Sequence, residues 1–151
     1  MLITLKDGSV KEFDGGRKII DIAKSISEGL ARAAVAAKVD GKLTDLRQNI
    51  DYDCTIEILT FKDDEGKSVY RHTCAHILAQ AVKSVYPACK LAIGPSVASG
   101  FYYDFEFRTP ITYSDLNKIE TEMAKIIKAD IPIEKFTLDK KEALKLFADQ
   151  P

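Results

Sequence analysis

The sequence is poor in features that mark specialised classes of protein. Its 151 residues hold three cysteines, Cys54, Cys74 and Cys89, an odd number without close pair spacing. That pattern argues against a disulfide framework and favours free thiols in a reducing compartment. The first residues lack a basic stretch followed by an apolar segment, and no apolar run is long enough to span a bilayer. We therefore expect a cytoplasmic protein without a signal or membrane segment.

The sequence also lacks an excess of charge of one sign and the common nucleotide-binding motifs. The 22 basic residues nearly cancel the 23 acidic ones, so no global field marks the chain as a nucleic-acid binder, although a local basic patch is compatible with it. There is no glycine-rich phosphate loop and no nucleophile-elbow motif. With 46% hydrophobic and 30% charged residues, the chain is typical of a globular protein with a core.

What the sequence does contain is a pair of histidines, His72 and His76, which are the only two in the chain. Residues 70–86 have no glycine and precede Pro87, so they predict a helix that ends at Tyr86. On a helix, the two imidazoles share one face with Ala79 and Lys83. The broad opposite face is apolar and has to be buried; it consists of Cys74, Ile77, Leu78, Ala81, Val82 and Val85. A paired binding or catalytic role explains this placement better than incidental packing, which remains the plainer alternative.

A metal site is one form that such a role could take. Two histidines at i and i+4 can chelate zinc from one helix face, but zinc needs a third protein ligand. Cys74 points to the other face of the helix, and the remaining candidates are Asp104, Glu106 and Cys89. Because the spacing demands none of them, we predict no metal ligand in this chain. A metal-dependent hydrolase using His72 and His76 is kept as an alternative.

Residues 1–61 predict a small sheet that clasps one helix. Asp-Gly turns mark two hairpins. The predicted strands are 2–5, 10–13, 31–39, 42–46 and 54–60, and the helix is 17–26, with Gly29 just past its end. The alanines of residues 31–39 favour a helix and the Asp-Gly that follows favours a hairpin, and of the two we predict a strand.

The charged run at residues 62–67 predicts a linker. The segments expected beyond the histidine helix are a short strand at 91–94, a strand at 100–107 with an aromatic face, a helix from Thr112 to Asp130, a strand at 131–138 and a helix from Asp139. The chain stops at Gln150 and Pro151 directly after that helix, which indicates a fragment.

Several motifs, taken together, resemble one family. The run ITLKDGS at residues 3–9 resembles the opening of a TGS module, whereas RHTCAHIL at 71–78, AIGP at 92–95 and GFYYDF at 100–105 resemble an editing domain. The whole chain is similar to the N-terminal part of bacterial threonyl-tRNA synthetases. The resemblance implies an α+β fold. It places a ubiquitin-like β-grasp (TGS) domain at 1–61, a linker at 62–67 and the truncated N-terminal part of the tRNA editing domain at 68–151.

The resemblance also implies hydrolysis of serine wrongly esterified to threonine tRNA. Such proofreading is needed because a missing methyl group is worth only about 1–3 kcal/mol in a binding pocket. His72 and His76 match the family's editing histidines, and Tyr103 matches a tyrosine that lines the editing pocket. They would orient the 3′-terminal adenosine ester and a water, with an imidazole as candidate base. Residues 96–99 depart from the family pattern.

The family's remaining parts are not in this sequence. They comprise a further Cys-x-x-x-His pair of the editing domain, an aminoacylation core that binds ATP and zinc, and an anticodon-binding domain. The resemblance thus implies a fragment without a cofactor or complete active site, from a homodimeric ligase whose partner is tRNA(Thr). A regulatory TGS module of a nucleotide-dependent protein is the other hypothesis for residues 1–61, although the sequence after residue 66 argues against it.

Overall fold

The computed structural model describes residues 1–148 of the chain, so Gln150 and Pro151, where we expected a cut end, lie outside the described residues. The elements of the first half are β1 (Leu2–Leu5), β2 (Val10–Glu12), β3 (Arg17–Lys18), α1 (Ile19–Ile26), α2 (Glu28–Ala33), β4 (Ala34–Val39), β5 (Lys42–Thr44), β6 (Asn49–Ile50) and β7 (Cys54–Thr60). Those that follow are α3 (Asp64–Val85), β8 (Lys90–Leu91), β9 (Ser96–Val97), β10 (Gly100–Phe101), β11 (Phe105–Glu106), α4 (Tyr113–Ala129) and α5 (Lys140–Leu146). Within this part of the chain, no helix is both long and apolar enough to cross a membrane.

A five-stranded sheet in the order β2-β1-β7-β4-β5 organises the first sixty residues. β1 and β7 run parallel, with Ile3 opposite Cys54, and the other pairs are antiparallel. Helix α1 contributes the fully buried side chains of Ile19, Ile22 and Ala23 to the core, of which the two isoleucines are the large ones. Burying a side chain of this size contributes about 1.5–3 kcal/mol. The core cluster is completed by Ile3, Leu5, Ala37, Val39, Ile50, Cys54 and Ile56. The sheet clasps a helix, as the sequence predicted.

Two segments of this half differ from the prediction. Helix α1 begins at Ile19 because Arg17 and Lys18 pair with β6 as a two-stranded ladder. The predicted strand at 31–39 is a strand only from Ala34 onward, since Glu28–Ala33 forms the short helix α2. The Ser27 hydroxyl caps that helix by accepting a hydrogen bond from the Leu30 N–H at 3.0 Å. Gly29 therefore lies inside a helix and not past the end of one.

Helix α3 starts at Asp64, six residues earlier than Tyr70, so residues 64–67 of the expected linker are helical. The Asp63 carboxylate accepts hydrogen bonds from the N–H and hydroxyl of Thr60 at 2.8 and 3.0 Å, which fixes the turn between β7 and α3. Gly66 then lets the helix pass close to the sheet, because a Cβ there would lie 2.0 Å from the Thr60 carbonyl oxygen. The division of the chain into two domains and a linker stays a prediction.

The second half packs around α3 and α4. Their shared core consists of Ala81, Val82, Cys89 and Ile119, with Phe105 and Phe107 packed against it. The predicted strand at 100–107 is present as two short strands, β10 paired with β9 and β11 paired with β8. The predicted strand at 131–138 is wrong: residues 131–138 have no regular structure and are exposed. No neighbouring strand within residues 1–148 is available to satisfy its backbone groups.

Helix α4 begins with the capping box that the sequence predicted. Asp115 accepts hydrogen bonds from the N–H and the hydroxyl of Thr112 at 2.8 and 2.7 Å, and Lys118 donates to its other oxygen at 2.8 Å. The hydrogen bond from Lys118, followed by those from Thr112, holds the pKa of Asp115 far below its usual range. The carboxylate form is therefore strongly favoured in the folded protein.

This pKa shift predicts how stability depends on acid. Asp115 stabilises the fold fully above the unfolded carboxyl pKa of about 3.9 and loses that contribution as the pH falls further. We expect the difference in unfolding free energy between the wild type and Asp115→Asn to shrink as the pH drops from about 6 to about 3. Urea unfolding across this range measures it. A difference that stays constant with pH would rule out an ionised, hydrogen-bonded Asp115.

Candidate functional site

The two histidines lie together on the exposed side of α3. Both side chains are exposed, their ring centroids are 4.5 Å apart, and the rings meet edge to face at 88°. The Nε2 atoms of His72 and His76 are 3.0 Å apart, a hydrogen-bond distance. One ring must donate and the other accept, so the contact requires at least one neutral imidazole. The pair can therefore pass or accept a proton at an atom that solvent or a ligand can reach.

The buried side of α3 differs from the predicted one. Four residues of the predicted apolar face are only half-buried: Cys74, Ile77, Leu78 and Val85. Ala81 and Val82 are buried as expected, but Ala75 and Ala79 are buried too, at 0% and 4% exposure. Ala79 shares the histidine face, so this face is open only at its amino-terminal half. Helix α3 packs against α4 at Ala81 and Val82, and it contacts β9 through Ser68 and Arg71.

Tyr103 is held by aromatic packing on the neighbouring strands. Its ring stacks on Phe105 with centroids 4.8 Å apart at 20°. It also covers Gly94, where a Cβ would lie 2.0 Å from the ring. Within the described residues, no hydrogen bond or ring contact joins Tyr103 to either histidine. The structure therefore brings the histidines together, while a role for Tyr103 in the same site stays a prediction.

The side chains around the histidine pair determine whether the pair can be part of a metal site. Among residues 1–148, no group of three or more His, Cys, Asp or Glu side chains could hold a metal ion. Asp104, Glu106 and Cys89, the candidate third ligands, thus do not join the pair in a site. Cys89 is buried, and burial raises the pKa of its thiol, which disfavours the thiolate that binds metals. A metal-dependent hydrolase would need a ligand from outside the described residues.

A loop contact next to the histidines was not predicted from the sequence. The hydroxyls of Ser68 and Ser96 are 2.9 Å apart, and the Arg71 Nη1 donates to the carbonyls of Val97 and Ala98 at 3.1 and 2.7 Å. These bonds fix residues 96–98 against α3. Spacing could have placed Ser68 on the face of His72, four residues later, but it carries no signal for the contact with the loop.

Comparison with known proteins agrees with this architecture. The family model described as TGS domain matches residues 1–60. Threonine–tRNA ligase of Desulforamulus reducens is 54% identical over 148 residues, which cover 98% of this chain and 23% of that protein. The chain is a threonine–tRNA ligase homologue. The ligases of Acetivibrio thermocellus and Clostridioides difficile are 53% and 54% identical over the same shares of each chain.

Similarity to threonine–tRNA ligases confirms the resemblance and the α+β fold with its β-grasp module. The chain spans less than a quarter of these ligases, 23% of their length. These comparisons do not test the roles of His72, His76 or Tyr103. Their roles stay predictions, which rest on the resemblance of residues 71–78 and 100–105 to an editing domain.

Proposed function

We propose that this chain is the part of a threonine–tRNA ligase that carries its TGS module and the first half of a hydrolytic editing site. The observation that supports the proposal best is the exposed His72–His76 pair, with 3.0 Å between the Nε2 atoms. Two adjoining imidazoles that are not needed for packing can orient an ester carbonyl and a water. The substrate is serine esterified to tRNA(Thr), and Tyr103 lines the pocket.

The hydrogen bond between the two imidazoles gives the rings different roles. The ring that accepts at Nε2 is neutral and basic, and the ring that donates keeps it oriented. When substrate enters, one imidazole takes a proton from the water that attacks the ester carbonyl, while the other positions the ester. The protonated ring then gives this proton to the ribose 3′ oxygen as the C–O bond breaks, which releases serine and tRNA. Proton transfer of this kind contributes about 10²–10⁴-fold to a rate. The remaining pocket residues would come from the rest of the editing domain.

The rest of the proposal concerns the whole ligase. ATP and zinc are bound by its aminoacylation core, outside these 151 residues. The ligase acts on tRNA(Thr) as a homodimer in the cytoplasm. A reducing compartment agrees with the three free cysteines Cys54, Cys74 and Cys89.

The test compares two esters on one tRNA. The full-length ligase should hydrolyse Ser-tRNA(Thr) at least about tenfold faster than Thr-tRNA(Thr), because the pocket has to exclude one methyl group. This chain alone should be far slower, since it supplies only part of the pocket. Release of radiolabelled amino acid measures both rates. Equal hydrolysis of the two esters would contradict a proofreading role, and a fragment as fast as the full ligase would contradict the partial site.

A further inference from the structure

A polar cleft lies along α3 before His72 and has no role in the function proposed so far. It is formed by Asp64, Lys67, Ser68 and Arg71 on α3 and by residues 96–98 of the facing loop. Its volume is about 470 Å³, enough for a phosphate group and part of a sugar. We call it the serine cleft, after the Ser68 and Ser96 hydroxyls that meet across it at 2.9 Å.

The charges of the serine cleft sum to a positive value. The Lys67 ammonium pairs with the Asp64 carboxylate at 2.8 Å, so these two nearly cancel. Arg71 adds one positive charge, and its Nη1 is fixed by the carbonyls of Val97 and Ala98. In the described part of the chain, the other two guanidinium nitrogens have no hydrogen-bond partner. A guanidinium held in this way is preorganised to bind an oxyanion.

The cleft also lies at a definite distance from the histidines. Ser68, His72 and His76 are spaced by four residues, so they share one face of α3. At 1.5 Å of rise per residue, Ser68 lies about 6 Å along the helix from His72. A ligand held at the histidines through its 3′ ester would thus extend toward Arg71 within the length of one nucleotide.

We propose that the serine cleft binds the RNA phosphate that precedes the terminal adenosine of the substrate. Arg71 donates charge-assisted hydrogen bonds to the phosphate oxygens. The hydroxyl that accepts in the Ser68–Ser96 contact keeps its own proton free and donates one more. Phosphate contacts of this kind fix register without reading sequence. Arg71 is thereby a binding residue that places the ester over the histidine pair. This inference rests on the proposed editing function but concerns a separate set of atoms.

The test uses adenosine and adenosine 5′-monophosphate as probes of this chain. Isothermal titration should show tighter binding of the monophosphate, and Arg71→Met should weaken it about tenfold while leaving adenosine affinity unchanged. Ser96→Ala should weaken it less. Arg32→Met, an exposed arginine on α2, is the matched control and should change neither affinity. For a single-stranded oligoribonucleotide, Arg71→Met should also reduce the slope of log affinity against log salt by about 0.7.

The outcomes separate this inference from the editing proposal. Three results would overturn the proposal that the serine cleft binds phosphate. They are equal affinity for the two probes, no binding of either, and an Arg71→Met variant that binds both as the wild type does. Arg71→Lys keeps the positive charge but loses the planar guanidinium with its several donors. An intermediate affinity of this variant for the monophosphate supports phosphate binding even where Arg71→Met disturbs the loop. Failure of the editing proposal would instead show as intact phosphate binding with no hydrolysis of Ser-tRNA(Thr).

Discussion

Replacing His76 by alanine should reduce hydrolysis of Ser-tRNA(Thr) by the full-length ligase about 100-fold or more. The imidazole is one of two groups at the pair that can move a proton, and its loss also frees His72 from the 3.0 Å contact. His72→Ala should have a similar effect. Because the two rings act as a unit, the double variant should be little worse than either single one. Deacylation of purified Ser-tRNA(Thr) measures all three.

Controls on the same helix distinguish chemistry from folding. Both rings are exposed, so each alanine substitution should change the free energy of unfolding by less than about 0.5 kcal/mol. Ser84→Ala, at an exposed position two turns beyond His76, should leave hydrolysis unchanged. His76→Gln keeps a hydrogen-bonding group but cannot act as a base. If His76→Gln hydrolyses the ester as slowly as His76→Ala, the role of His76 is proton transfer. If His76→Gln recovers most of the wild-type rate, the role of His76 is positioning.

Adding a methyl group at Gly66 should give the largest loss of stability among small substitutions in α3. The Cβ of Gly66→Ala would meet the Thr60 carbonyl oxygen at 2.0 Å and the Thr60 carbonyl carbon at 2.8 Å. Both are backbone atoms, so helix and sheet have to move apart. Overpacking of this kind typically costs about 1–3 kcal/mol. Urea unfolding of this chain would show the loss.

Gly29→Ala is the matched control for that substitution. Gly29 also lies in a helix, but the nearest atom to an added Cβ is the Ser27 hydroxyl oxygen at 3.9 Å. Alanine there should raise the free energy of unfolding, by about 0.5–1 kcal/mol, because it restricts the unfolded chain and favours the helix. If Gly66→Ala behaved like Gly29→Ala, the packing of α3 against Thr60 would be wrong.

The sequence was most informative where local chemistry decides the structure. Cys54–Thr60 was predicted with the observed bounds because a buried strand has a distinct alternating pattern. Helix α3 ends at Val85, one residue before the stop that Pro87 predicted, and the capping box at Thr112 followed from residue type and spacing. The histidine face was predicted from helical geometry alone. Each of these signals acts over a few residues.

The errors fall where distant contacts decide. Residues 64–67 look like a loop because Gly66 breaks helices, yet its missing side chain is what lets α3 contact Thr60. The run Asp63, Asp64 and Glu65 is a helix-start signal that could have corrected the boundary. Residues 131–138 carry a strand pattern without a partner strand in the described residues. The Ser68–Ser96 contact joins residues 28 apart, which no local pattern reveals.

One measurement tests the central proposal most directly, the response of the histidine ring signals to a substrate analogue that cannot be hydrolysed. Adenosine carrying serine through a 3′-amide can be titrated into this chain while the imidazole resonances are followed by NMR. The exposed pair predicts that the signals of His72 and His76 shift together and saturate at the same concentration of the analogue. Unchanged histidine signals, while other residues respond to the bound analogue, would contradict an editing role for the pair.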